Sequence, residues 1–275
     1  MQLNAHACGS WRGILWSNCL EALMSAIKLG FLNIEIDVSV TSDNQFVIGH
    51  DGFNGLNKRI KDLTEREYLD CKLPWNGTRF NLKTAFDVLR AHPDVNVMWD
   101  FRPSVYADCA REICAFATVL DNANLEKSGI IEVCSWNDFD CVLSTGYTEI
   151  MYGLCGRGWV NGIHCTKEQL EFDMDECERR KVRYVSVPVA VAKKYPLFIN
   201  RVHEYGGKVY SLGWELESNL REAERHGVDF ATVDYAIPGG VIRNAVRIYT
   251  EGFWRVGRRW SVRLLGTHKI ESENK

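Results

Sequence analysis

Two histidines and a short series of acidic residues stand where their spacing permits catalysis. His6 closes the segment Gln2-Leu3-Asn4-Ala5-His6, and His50 closes Gln45-Phe46-Val47-Ile48-Gly49-His50. Both segments read as strands, so each imidazole sits at a strand's end. Between them lies Leu32-Asn33-Ile34-Glu35-Ile36-Asp37-Val38. Side chains alternate along a strand, so Leu32, Ile34, Ile36 and Val38 share one face and Asn33, Glu35 and Asp37 the other. The pattern returns in Val95-Asn96-Val97-Met98-Trp99-Asp100-Phe101-Arg102, where Asp100 and Arg102 lie on one face near the end.

Two carboxylates close together with little water cannot both stay ionised without a cation or a shared proton. Three oxygen donors, Glu35, Asp37 and Asp100, suit Mg²⁺ or Ca²⁺ better than zinc. The competing reading makes Glu35 and Asp37 exposed residues of an edge strand, or partners of Arg or Lys. The strand-end histidines on either side weigh against it. Two imidazoles titrating near neutrality can serve as general base and general acid in one reaction.

These residues need a scaffold, and the chain supplies an alternating one. Strand-like runs fall at 2–6, 31–38, 45–49, 94–100, 129–134, 148–153, 183–188, 207–213 and 229–234. Amphipathic helical stretches lie between most of them, including 18–29, 82–91, 104–120, 167–180 and 216–226. Asn18, with Glu21 three residues later, predicts a helix start, and Gly30 a stop. Strands alternating with helices imply parallel βαβ units. Their number predicts an α/β fold, a closed (β/α)₈ TIM barrel forming one domain over residues 1–275, with run 45–49 as an extension of the second unit. A doubly wound open sheet is the alternative, but no G-x-G-x-x-G follows the first strand. In a barrel, His6, Asp100 and Arg102 would gather at the strands' C-terminal ends, where active sites sit.

Composition excludes several classes. The 275 residues are 46% hydrophobic and 25% charged, which is that of a globular protein, not a disordered one. A net charge of −3 leaves no global field towards nucleic acid or membrane. The ten cysteines lack zinc-site spacing, and several, Cys114, Cys134 and Cys155 among them, lie in apolar runs. They read as buried free thiols in a reducing compartment. No basic segment followed by an apolar one opens the chain, so a cytoplasmic location is expected. From about residue 243 to 275, a final helix and basic tail interleave Arg243, Arg247, Arg255, Arg258, Arg259, Arg263 and Lys269 with Phe253, Trp254 and Trp260. The stretch reads as packing on the barrel's base, or as a peripheral contact with anionic lipid or a protein partner.

Taken together, these motifs resemble the glycerophosphodiester phosphodiesterases, within the phospholipase-C-like phosphodiesterase barrels. His6-Ala7-Cys8-Gly9 resembles the family's opening His-Ala-Gly-Gly, and Ser17-Asn18-Cys19-Leu20-Glu21-Ala22 its Glu/Thr-Asn-Thr/Ser-Leu-x-Ala. Glu35-Ile36-Asp37, Thr41-Ser42-Asp43 and His50-Asp51 match its E-x-D, T-x-D and H-D in order and spacing. Asp100-Phe101-Arg102 is similar to its Glu/Asp-x-Lys. Gly227-Val228-Asp229 and Val233-Asp234 are similar to its closing G-V-D and T-D.

The resemblance implies a TIM barrel with Mg²⁺ or Ca²⁺ held by Glu35, Asp37 and Asp100, and acid–base work by His6 and His50. It implies hydrolysis of a small glycerophosphodiester-like substrate, in lipid metabolism. Three departures stand out. Ala7 replaces an arginine that in many members touches phosphate. Arg102 replaces a lysine, adding a planar fork able to hold two phosphate oxygens. Leu212-Gly213-Trp214-Glu215 stands where W-T-x-N is common, which implies a different pocket wall. A hydroxyl beside the phosphate could replace water as nucleophile, making the chain a lyase that releases a cyclic phosphate. A catalytically silent binding barrel is the remaining alternative, and the five retained histidine and carboxylate positions argue against it.

Overall fold

The computed structural model describes residues 1–51, 58–73, 76–103, 109–123, 125, 129–154, 166–214, 217–234 and 238. Eight parallel strands close on themselves. They are β1 (Gln2–Ala5), β2 (Asn33–Val40), β5 (Asn96–Arg102), β6 (Ile130–Val133), β7 (Ile150–Gly153), β8 (Tyr184–Pro188), β9 (Lys208–Leu212) and β10 (Phe230–Val233). Each pairs with the next, and β1 pairs with both β10 and β2, which shuts the barrel. The expected (β/α)₈ fold is what forms.

One pair of strands leaves the pattern. β3 (Phe46–Ile48) runs antiparallel to β2, and β4 (Phe80–Asn81) antiparallel to β3. β2 is long enough to overshoot the barrel rim, and a tight turn sends the chain back along it. Asn44, left-handed at φ 58°, makes that turn, with its N–H donating to Thr41 O at 3.0 Å. Run 45–49 is therefore a returning hairpin arm, and the turn's shortness is why: a parallel crossover needs a dozen or more residues.

Helices α1 (Leu20–Lys28), α3 (Leu82–Arg90), α4 (Cys109–Asn122), α6 (Lys167–Arg180) and α9 (Glu217–Arg225) answer the expected stretches. The sequence reading had not placed α2 (Glu65–Asp70), α5 (Trp136–Ser144), α7 (Val189–Lys194) and α8 (Leu197–Glu204). Local chemistry sets the starts. Asn81 accepts from Thr84 N–H at 2.9 Å to cap α3, and Ser135 from Asp138 N–H at 3.1 Å to cap α5. α3 buries Leu82, Ala85, Phe86 and Leu89, one stripe at helical spacing. It meets the outward face of β5, where Phe86 lies edge-on to Trp99, and Trp99 to Phe116 of α4. Truncating Trp99, fully buried, would cost about 3–5 kcal/mol.

Two expectations fail here. Asn18 does not cap α1. Cys19 holds the N-cap position without a side-chain bond, and Asn18 is left-handed at φ 44° with its amide turned to Asp37. Gly30 does end the helix, at φ +86°. Cys114 is not a free thiol. α4 and α5 pack side by side, bring the Cα atoms of Cys114 and Cys141 to 6.0 Å, and the two form a disulfide. Cys8, Cys19 and Cys177 are free and buried, as expected, whereas Cys134 is only partly buried. Cys155 and the basic tail from 243 lie outside the described residues.

Candidate active site

Alternate residues of the barrel strands face inward, and at the C-terminal rim these are the chemically active ones. β2 contributes Glu35 and Asp37, both buried, and β5 contributes Asp100, in register with Asp37. Among the described residues, Glu35, Asp37 and Asp100 place carboxylate oxygens within 4.8 Å of one another. The edge-strand reading is thus wrong. Arg102 lies over the group, with its Nε donating to Asp37 Oδ1 at 3.0 Å and an Nη2 to Asp100 Oδ2.

The first loop completes this floor. After β1 the chain turns through Ala7 (φ 47°) and Cys8 (φ 66°), left-handed residues that other contacts must hold in place. That turn aims the Ala7 N–H at Glu35 Oε2. Further along, Asn18 donates to Asp37 Oδ2 at 2.6 Å and accepts from the Asp37 N–H at 3.3 Å. Asn18 is thus a wall of the site that local helix signals disguise. Its partner lies 19 positions away, beyond the reach of any local pattern.

His6 is fixed by a pair that the sequence reading left without a role. Its Nδ1 lies 2.7 Å from Asp234 Oδ1, just beyond β10. The Trp16 indole N–H points at the same carboxylate oxygen from 2.8 Å, and lies 3.0 Å from His6 Nδ1. With Nδ1–H donating to Asp234, both N–H groups converge on one oxygen, and Nε2 is left as the working nitrogen. Burial pulls the His6 pKa down, but the Asp234 bond and the charges of Glu35, Asp234 and Asp37 outweigh it and push it up to about 9.

His50 arrives on the returning arm. Gly49 N–H donates to Asp37 O at 3.0 Å, and Ser39 Oγ donates to Gly49 O at 2.7 Å, stitching the end of β3 to β2 beside the carboxylates. Only glycine fits at 49, since a Cβ there would stand 2.2 Å from the Tyr68 hydroxyl. The His50 Nδ1 meets the Asp51 carbonyl. Its ring is near enough to Asp37 to act on its ionisation: burial would raise the Asp37 pKa, but Arg102, then His50, and the Asn18 bond hold it below the usual range. Glu35 goes the other way, pushed well up by burial and then by Asp37's charge.

All six residues singled out from sequence, His6, His50, Glu35, Asp37, Asp100 and Arg102, therefore meet at one mouth. The sequence reading missed Trp16, Asn18, Asp234 and Glu132. Glu132 faces inward on β6 in register with Asp100, and its Oε1 would lie 3.3 Å from a Cβ at Gly153. Alternation in Ile130-Ile131-Glu132-Val133, an acidic residue on a buried strand, was the available signal. Of the stretch 212–215, Trp214 is fully buried, its N–H on Ser211 Oγ at 2.8 Å, and Leu212 is exposed.

The donor set itself fits a hard divalent cation. Glu35 Oε1 is buried without a hydrogen-bond partner, a costly state for a carboxylate oxygen unless a cation takes it up. Carboxylates and two imidazoles at the C-terminal rim of a parallel barrel stand where barrel enzymes place their active sites.

Comparison narrows the class. The chain matches the Glycerophosphoryl diester phosphodiesterase family over residues 7–237 and belongs to that family, which places it among the phosphoric diester hydrolases. Its fold is similar to that of a glycerophosphodiester phosphodiesterase from Thermotoga maritima, at 20% identity and a TM-score of 0.64 over 84% of this chain and 93% of that one. It is also similar to a phosphodiesterase from Oleispira antarctica solved with the product sn-glycerol-3-phosphate, at 19% identity and a TM-score of 0.69 over 86% and 93%. A third, from Parabacteroides distasonis, is 16% identical at a TM-score of 0.69 over 92% and 97%. No curated protein sequence matches the chain.

Proposed function

We propose that this chain hydrolyses a glycerophosphodiester-like substrate, with His6 and His50 as its acid–base pair and one divalent cation, Mg²⁺ or Ca²⁺, held by Glu35, Asp37 and Asp100. The observation that carries this is the partnerless Glu35 oxygen inside a three-carboxylate group, flanked by two histidines that both act on Asp37. The product bound by the Oleispira antarctica enzyme supports the substrate class. A bound cation would supply Lewis-acid neutralisation of the phosphate's nonbridging oxygens. Arg102 would bring its fork to those oxygens. Asp234 holds His6 by Nδ1, so Nε2 is the atom through which a proton passes to or from the substrate. No helix among the described residues is long and apolar enough to cross a membrane.

The test is substitution of each histidine by alanine. With glycerophosphocholine, His6→Ala and His50→Ala are each expected to lose about 10²–10⁴-fold in rate, the double variant being little worse. A nitrophenyl diester, whose leaving group needs no proton, should partly rescue one single variant, and phosphorus NMR should show a linear monoester. A single variant keeping most of its activity on glycerophosphocholine, or a cyclic end product, would overturn the reading.

A further inference from the structure

The opposite end of the barrel is built unlike an ordinary floor. Barrel interiors are usually filled by branched aliphatic side chains. Here the inward residues at the N-terminal ends of β1, β2 and β5 are all amides: Gln2, Asn33 and Asn96. They are chained, with Asn96 Nδ2 donating to Asn33 Oδ1 at 3.4 Å and Asn33 Nδ2 to Gln2 Oε1 at 2.7 Å. The strands that continue round the barrel from β1, namely β10, β9 and β8, carry Phe230, Tyr210 and Tyr184. Tyr210 stacks on Phe230 at 4.2 Å, and Tyr184 stands edge-on to Tyr210 at 6.2 Å. Between the amide arc and the aromatic arc lies a cavity of about 480 Å³, well inside the range of small-molecule sites.

The lining selects its occupant. Asn33 is buried with both ends of its amide bonded, to Gln2 and Asn96, so the amide arc is held in place along the cavity. Amides offer donors and acceptors together, which suits hydroxyl groups and not a lone charge. The aromatic wall offers flat apolar surface to the C–H face of a ring. At the rim Arg183 donates to Glu149 at 2.5 Å, and Tyr184 Oη donates to the same carboxylate at 3.1 Å, so the two charges there cancel. We propose that the N-terminal mouth of this barrel is a second binding site, for a neutral polyhydroxylated ring such as a sugar or cyclitol.

This site is separate from the catalytic mouth. Gln2 and His6 lie on one inward column four residues apart, about 13 Å along the strand. A layer containing Asn4, Met98 and Thr232 closes the space between, with Asn4 Nδ2 donating to Thr232 Oγ1 at 3.0 Å. The proposal does not rest on the hydrolase reading.

Met98 and Met151 pack against Ile130 and Tyr210, which line this cavity, and the chain holds five methionines, so their methyl groups serve as reporters. Methionine-methyl NMR of the whole chain should be followed while myo-inositol, glucose or glucose 6-phosphate is added. Saturable shifts at Met98 and Met151 with the neutral rings are expected, at a Kd of about 1 mM. They should be lost in Asn96→Leu and in Tyr184→Leu, and kept in His50→Ala. No saturable shift up to about 100 mM would overturn the proposal. So would shifts with the sugar phosphate alone, shifts lost in His50→Ala, or shifts unchanged in a folded Asn96→Leu or Tyr184→Leu.

Discussion

Arg102 stands on two of the three carboxylates proposed to hold a cation, and so plays two parts that can be separated. Without metal it neutralises Asp37 and Asp100. A cation bound by the carboxylates would free its fork for phosphate. Removing a charge-assisted pair from a partly buried site costs about 2–4 kcal/mol of transition-state binding, or about 1.5 to 3 decades. Arg102→Ala should therefore lower kcat/KM by that amount, and Arg102→Lys should recover part of it. Metal affinity, read by calorimetry, should not weaken, because the carboxylates lose a competing cation. Weakened metal binding in Arg102→Ala would instead make the arginine a support of the metal site. At this scale the candidate set was legible, because Glu35, Asp37 and Asp100 break the apolar pattern of buried strands. Asn18 and Trp16 were not, because their meaning lies in Asp37 and Asp234, far along the chain.

Elements were legible where periodicity was long and uniform, as in α3 or β2. They were hidden where a short turn decided direction: the five residues between Val40 and Phe46 are too few for a crossover, and that count was the missed clue to an antiparallel β3. Two elements carry tests of their own. α4 and α5 share the Cys114–Cys141 disulfide. Alkylation of the unfolded purified protein should gain two labels after reduction, mapped to those two cysteines. Equal labelling before and after would show both thiols free.

At the barrel's base, Asp229 ties β10 to β9 and α8. Its carboxylate accepts from Val209 N–H at 2.9 Å, Lys208 Nζ at 3.0 Å and His203 at 2.9 Å. Burial would raise its pKa, but these three donors lower it overall. A carboxyl whose folded pKa is depressed contributes stability above its unfolded value, near 4, and loses it as pH falls below. Asp229→Asn should thus lower the unfolding free energy by about 1 kcal/mol at neutral pH, discounted for partial exposure. The difference should vanish as pH drops through the carboxylate range, as denaturant titrations at several pH values would show. A pH-independent difference would assign the loss to packing.

For the molecule as a whole, the proposed cation site straddles the junction of two strands. Glu35 and Asp37 lie on β2 and Asp100 on β5, so a shared cation would tie neighbouring strands. A ligand present at a hundred times its Kd stabilises the folded state by about 2.7 kcal/mol, which for a chain of this length raises Tm by several degrees. Mg²⁺ or Ca²⁺ should raise the Tm of chelator-treated protein accordingly, and Glu35→Gln with Asp37→Asn should abolish the rise. An equal rise in that variant would place the cation elsewhere. Closure of the barrel was legible from the strand count, whereas the aromatic-and-amide floor was not, because it is assembled from six strands at once.

The residues proposed for chemistry all fall between His6 and Arg102, and Asp234 alone comes from the far end of the chain, delivered when β10 closes on β1. Strands β7 to β9 and the segments after them lie outside that set, and β6 brings only Glu132 beside it. Substitutions there can reshape what the mouth admits while leaving the bond-breaking apparatus intact, and the exposed Leu212 stands among them. Such a division would let the latter half of the chain be redesigned for a new substrate while Glu35, Asp37, Asp100 and the two histidines stay as they are, provided Asp234 is kept.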